Sequence, residues 1–139
     1  MSENIPDVPP QEVWRALESD PSAKLVDVRT SAEWNFVGLP DLGPLNKKPV
    51  TIQWQVFPGM QVDPDFMHKM RVEGVEPGDK VYFLCRSGVR STAAAKLAAE
   101  HGFTQVFNIK DGFEGPPDAQ GHRGNVAGWK QSGLPWRQG

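Results

Sequence analysis

The chain has 139 residues, 38% hydrophobic and 23% charged, which suits one domain with a real core and excludes a disordered tail. Fifteen basic residues against seventeen acidic ones leave a net charge of -2, so direct nucleic-acid binding through bulk phosphate attraction is not expected. The single cysteine, Cys85, excludes an intramolecular disulfide and cannot by itself supply a zinc-binding set.

Met1 to Asp7 carries neither the basic nor the apolar stretch of a secretory leader. The longest apolar run, Val81 to Cys85, is too short for a bilayer, so the expectation is a cytoplasmic protein with no membrane partner. After Val8-Pro9-Pro10, the spacing of Val13, Ala16 and Leu17 predicts a short amphipathic helix over 11–18, ended by Ser19-Asp20-Pro21. Lys24 to Val28 reads as a buried strand. Thr30-Ser31-Ala32-Glu33 has the form of a capping box, which starts a second helix near Ser31 and carries it to about Val37.

Residues 38–49 read as loop. Val50, Ile52, Trp54 and Val56 alternate as one face of a half-buried strand over 50–57. Asp63-Pro64 is a helix start that places Phe66 and Met70 on one face, and Glu76 to Asp79 makes a turn. The strand Lys80–Leu84 follows, then Cys85-Arg86-Ser87-Gly88-Val89-Arg90, then an alanine-rich helix from Ser91 to His101 with Gly102 as its stop. Gln105–Ile109 is a further strand, and a short helix is expected at 126–131. Strands alternating with helices over short connections imply an α/β domain with a mostly parallel sheet.

The position of Cys85 carries the chemistry. A cysteine after four apolar strand residues is ordinarily a buried small hydrophobe. Here the next six residues include Arg86, Ser87, Gly88, Arg90 and Ser91, a poor core and a good cradle for an anion. Loop amides and a helix N-terminus meet at the C-terminal edge of a parallel strand. Together with the two arginines they favour a thiolate, so the expectation is a partly exposed, nucleophilic Cys85 with a lowered pKa.

Leu25-Val26-Asp27-Val28-Arg29, with Glu33-Trp34 and Gly38, resembles the opening signature of rhodanese domains. Cys85 to Ser91 resembles their active-site loop, and Gly112 to Gly115 with Trp129 through Trp136 resembles the closing segment of single-domain members. The resemblance implies a rhodanese-like three-layer α/β/α domain with a central, mostly parallel five-stranded sheet, one domain over 1–139 with its core at about 8–136. It also implies sulfurtransfer: Cys85 takes a sulfane sulfur from thiosulfate or another persulfide donor and yields it to a thiol or cyanide, with no metal or organic cofactor. A sulfur-relay protein would be a natural partner.

Other positions carry two readings each. Arg29 either binds the anionic donor, as the resemblance implies, or forms a structural ion pair with Asp27 or Glu33. Asp27 and Glu33 read as structural support, Glu33 through its capping box. Arg86 is placed to recruit the donor together with the loop of Ser87, Gly88, Val89, Arg90 and Ser91, while Arg90 could instead turn inward and brace it. After Gly38 the sequence Leu39-Pro40-Asp41 departs from the family pattern, and the loop around His122 has no assigned role.

Two alternatives stand beside sulfurtransfer. Phosphatase or arsenate-reductase chemistry on this fold uses Cys-x5-Arg, whereas Cys85 and Arg90 give Cys-x4-Arg, a tighter ring suited to a single sulfur. A sulfur-carrier or interaction module with low turnover is the other, with Trp34, Trp129 or Trp136 as docking candidates. The scattered histidines His68, His101 and His122 do not assemble a metal site.

Overall fold

A computed structural model describes residues 5–56, 59, 61–86, 88–124 and 126–138. In chain order its elements begin with β1 (Asp7–Val8), α1 (Pro10–Ser19), β2 (Ala23–Asp27), α2 (Ser31–Phe36) and β3 (Leu39–Pro40). After a 3-10 turn at Gly43–Leu45 come β4 (Val50–Thr51), β5 (Gln55–Val56), β6 (Gln61–Val62) and α3 (Phe66–Val72). The chain then runs through β7 (Lys80–Leu84), α4 (Val89–Glu100), β8 (Gln105–Ile109) and β9 (Trp136–Arg137).

The central sheet has the order β1-β8-β7-β2-β4, and every pairing in it is parallel. Strand parity sorts its side chains between two cores. Val26, Val81, Phe83 and Val106 point to one face, where Phe66 and Met70 of α3 and Ala94, Ala95 and Ala98 of α4 cover them. Leu25, Tyr82, Leu84 and Ile109 point to the other, against Val13 and Leu17 of α1 and the late residues Phe113 and Trp129. The three small alanines let α4 lie close on β7 and β8, which brings its first turn over the end of β7. This is the three-layer α/β/α arrangement that the resemblance implied.

Local chemistry explains the helix limits. Thr30 Oγ1 accepts the Glu33 N–H at 3.3 Å while Glu33 Oε1 accepts the Thr30 N–H at 3.1 Å, so the capping box is closed. Gly102 at φ +94° ends α4, as a C-terminal glycine does. Among the described residues no helix is long and apolar enough to cross a membrane.

Three expectations change. The strand foreseen over 50–57 is regular only at Val50–Thr51: Ile52 and Trp54 remain buried and still donate their N–H groups to the Asp27 and Val28 carbonyls, whereas Gln55–Val56 pairs antiparallel with Gln61–Val62, and Phe57 lies outside the described residues. The third helix begins at Phe66 rather than Pro64: Asp63 sits one turn earlier, accepting the Asp65 N–H with one carboxylate oxygen and pairing Lys69 with the other. Residues 126–131 form turns around Gly128 instead of a helix. In them Trp129 and Lys130 donate their N–H groups to Gly112 and Phe113, which ties this segment to the floor of the loop after β7.

Candidate active site

β7 delivers Cys85 to the C-terminal edge of the sheet, on the face covered by α4. The next turn must reverse into that helix within a few residues, and Gly88 makes it possible: at φ +120° it occupies a conformation that side chains resist. Behind the loop lies a second glycine-dependent contact. A Cβ on Gly112 would sit 2.5 Å from the Cys85 carbonyl oxygen and 2.6 Å from that of Arg86. The bare backbone there lets Phe113 donate to Cys85 O at 2.8 Å, and Glu114 and Gly115 donate to Arg86 O at 3.1 and 3.2 Å. With its first two carbonyls held outward in this way, the loop can turn N–H groups toward the sulfur.

The Gly88 N–H does so, reaching Cys85 Sγ at 3.0 Å, and the Ser91 hydroxyl lies 3.2 Å from the same atom. Among the described residues these are the hydrogen-bonding groups on the sulfur, one amide and one hydroxyl where a fuller ring of amides was expected. Ser87 lies outside the described residues. Cys85 is also 1% exposed, not partly exposed as the sequence suggested. The thiol is recessed because Ala94, Ala95 and the sheet close on it from the α4 side, while Val89 at the rim is 79% exposed.

Each loop arginine has an acidic partner. Arg86 Nε lies 3.2 Å from Glu114 Oε2, with half of the arginine side chain exposed and the carboxylate nearly buried. Arg90 turns inward to brace the loop, its two terminal nitrogens gripping the two Glu33 oxygens at 2.7 and 2.9 Å. Glu33 therefore serves twice, capping α2 and anchoring the start of α4. Burial pushes its carboxyl up, yet the Arg90 hydrogen bonds, the Thr30 N–H and the Arg90 and Arg29 charges outweigh it and hold the pKa at about 2. The Arg90 guanidinium is pushed up in turn, first by its Glu33 hydrogen bond against the burial penalty, then by the Glu33 charge.

Arg29 takes the structural course. It is fully buried, with Nε 2.9 Å from Asp27 Oδ1 and Nη2 2.7 Å from both Asp27 Oδ2 and the Gly38 carbonyl. Its guanidinium stacks 4.3 Å from the Phe113 ring centre. Phe113 belongs to the core on the α1 side, whereas Cys85 belongs to the core on the α4 side. Arg29 and Cys85 share an edge of the sheet but not a face, and the donor-binding role inferred from the shared edge loses its geometric basis.

The remaining candidates separate. Trp129 is wholly buried, edge-on to Trp14, and donates its indole N–H to the Pro135 carbonyl, so it is core. Trp136 is 41% exposed, with the Lys130 ammonium 3.9 Å over its ring. His122 is exposed in its loop. Two groups escaped the sequence reading: Glu114, which partners Arg86, and Asn108, whose side chain hydrogen-bonds the Ser91 hydroxyl. Asn108 left a signal. In Val106-Phe107-Asn108-Ile109 it stands at the inward position two after Val106, where a strand buried on both faces calls for an apolar residue.

Residues 8–139 match the family model described as the STR4 middle domain. The crystal structure of Rv0390 from M. tuberculosis superposes with a TM-score of 0.86 at 46% identity, covering 96% of this chain and 97% of that one. The chloroplastic rhodanese-like domain-containing protein 4 of Arabidopsis thaliana is 32% identical over 91% of this chain, which corresponds to 24% of that longer protein. The thiosulfate sulfurtransferase GlpE of Actinobacillus pleuropneumoniae serotype 5b is 27% identical over 97% of this chain and 95% of its own.

Proposed function

Because the chain belongs to the rhodanese-like family, we propose that it is a sulfurtransferase that works through a persulfide on Cys85. The observation that carries this reading is the sulfur itself, set at the end of β7 with the Gly88 amide at 3.0 Å and the Ser91 hydroxyl at 3.2 Å. The amide donor suits an anionic sulfur, and similarity to a thiosulfate sulfurtransferase over nearly the whole chain supports the same chemistry.

In the first step the Cys85 thiolate attacks the outer sulfur of thiosulfate. The new S–S bond forms as the old one to the sulfonate breaks, and sulfite leaves with the electron pair. In the second, cyanide or an acceptor thiolate attacks the terminal sulfur of the persulfide. Its bond to that sulfur forms, the Cys85 S–S bond breaks, and the pair returns to the thiolate. The two half-reactions share one covalent intermediate, so the kinetics are ping-pong. Since Cys85 is 1% exposed, the loop over it must yield to admit a donor, and the half-exposed Arg86 at its rim is the cation best placed to draw an anionic one.

Phosphatase chemistry is less well served. The Arg90 guanidinium, which a Cys-x5-Arg loop would aim at a phosphoryl group, is occupied by Glu33. The natural acceptor is a small thiol or the cysteine of a relay protein. Steady-state assay with thiosulfate and cyanide tests the proposal: thiocyanate forms with parallel double-reciprocal lines, and Cys85→Ser abolishes it. Turnover that persists in Cys85→Ser overturns it.

A further inference from the structure

The Cys85 sulfur is one end of a chain of side chains that leads out of the core. Ser91, fully buried, contacts Sγ with its hydroxyl and also hydrogen-bonds Asn108 Oδ1. Asn108, 4% exposed, donates its Nδ2 to Asp7 Oδ1 at 2.8 Å, and Asp7 is exposed on the edge strand β1. The parallel register that sets Asp7 beside Asn108, and Asn108 beside Phe83, places all of this at the same edge as Cys85.

The chemistry of each group fixes the direction of the chain. A carboxylate only accepts, so Asp7 holds the NH2 end of the Asn108 amide and turns its carbonyl toward Ser91. That carbonyl also only accepts, so the single Ser91 proton lies on Asn108. What Ser91 then offers to Cys85 is a lone pair, which welcomes S–H and not a thiolate. For the thiolate to gain the hydroxyl as a donor, the Ser91 proton must swing from Asn108 to sulfur and leave a buried carbonyl unpaired.

We propose that Asp7 and Asn108 are positioning residues: Asn108, oriented by Asp7, competes with the Cys85 sulfur for the Ser91 proton and so holds the resting nucleophile in check. The inference rests on Cys85 as the nucleophile and adds what sets its reactivity. Once the persulfide forms, negative charge moves to the outer sulfur, Sγ no longer requires the hydroxyl, and the proton returns to Asn108.

The test measures carbamidomethylation of Cys85 by iodoacetamide at neutral pH, together with the ultraviolet absorbance of the thiolate. Asp7 is exposed, so its substitution leaves the core intact. Asp7→Ala frees the Asn108 amide to flip and donate to Ser91, which releases the hydroxyl to sulfur. Alkylation then quickens roughly three- to tenfold, the worth of one redirected hydrogen bond, and the thiolate absorbance rises. Asp7→Asn removes the charge but keeps an acceptor for Asn108, and stays within about twofold of wild type. In a Ser91→Ala background Asp7→Ala changes nothing.

Equal acceleration by Asp7→Asn and Asp7→Ala would assign the effect to charge alone and overturn the proposal. So would an effect that persists without Ser91, or no effect in Asp7→Ala with its folding cooperativity intact. Alkylation reads the thiol whether or not sulfur is transferred. A protein that forms no thiocyanate but shows the Ser91-dependent coupling contradicts the proposed reaction alone, and the reverse pattern contradicts this inference alone.

Discussion

Two polar clusters are buried at the C-terminal edge of the same sheet, one on each face, and they are built differently. On the α1 face Asp27 and Arg29 meet through two parallel N–H···O bonds, and a third arginine bond goes to the Gly38 carbonyl. Arg29 is always a donor and Asp27 an acceptor, so nothing in that pair can be exchanged. On the α4 face Cys85, Ser91 and Asn108 share one hydroxyl proton between two acceptors. The fixed charges on one face hold the strand ends and the 38–40 segment in place, while the divided proton on the other leaves room for chemistry. Burial alone does not tell the two apart; counting protons against acceptors does.

The sharpest way to break this contrast is to remove a fixed charge. Arg29→Met leaves the Asp27 carboxylate buried without its partner, and the unfolding free energy should fall by about 3–5 kcal/mol in denaturant titration. A loss below about 1 kcal/mol would mean that the pair is not the architectural lock described. The same variant, where folded, should retain thiocyanate formation, because Arg29 lies across the sheet from Cys85.

A smaller effect is expected at the joint between α2 and α4. Glu33→Gln keeps a capping side chain but removes the charge that Arg90 grips, at a cost of about 1–2 kcal/mol. The pH dependence has a definite sign. The folded Glu33 carboxyl, at about 2 against its ordinary 4.5, is lowered by folding, so its contribution is complete above the ordinary value and fades as pH falls toward 2. Stability curves of wild type and variant should therefore converge through that acid window. Curves that stay parallel there would show that Glu33 is not held by Arg90.

The least change in stability belongs to Arg86. Its ion pair with Glu114 is half exposed on the arginine side, so Arg86→Ala should alter unfolding by less than about 1 kcal/mol. Its effect should appear in the thiosulfate half-reaction instead, as a raised KM for the dianionic donor with little change for an uncharged persulfide donor. Equal losses with both donors would remove Arg86 from anion recruitment.

Most of this architecture was legible in the chain. Leu25-Val26-Asp27-Val28 and Val81-Tyr82-Phe83-Leu84 are too apolar to be anything but central strands, Thr30 with Glu33 announces a helix start, and Gly102 marks its neighbour's end. What escaped were features made by distant partners. The two-residue strands β1 and β9 exist only because β8 and β3 lie beside them, and local pattern carries no trace of that. The strand expected over 50–57 kept its buried Ile52 and Trp54 and their bonds to Asp27 and Val28, but at Gln55 it changes partner to Gln61–Val62, which alternation within 50–57 does not announce.

At the site, the placement of Cys85 at the end of a central strand with a helix starting just after it was readable, and the inward turn of Arg90 was one of two readings offered. The acidic partner of Arg86 was not readable, because Glu114 is 28 positions away and reaches the loop only through the close backbone approach at Gly112. Arg29 was misleading for a plainer reason. Strand order gives the edge at which a residue emerges, while parity gives the face, and only both together say which residues can meet.

The central claim is that the recessed sulfur of Cys85 carries the transferred atom. Intact-mass measurement after incubation with thiosulfate, before and after cyanide, tests it most directly. The account predicts a gain of one sulfur atom on the wild-type chain, mapped to Cys85 and removed by cyanide, and no gain in Cys85→Ser. A wild-type mass that does not change, or a gain that survives in Cys85→Ser, would contradict it.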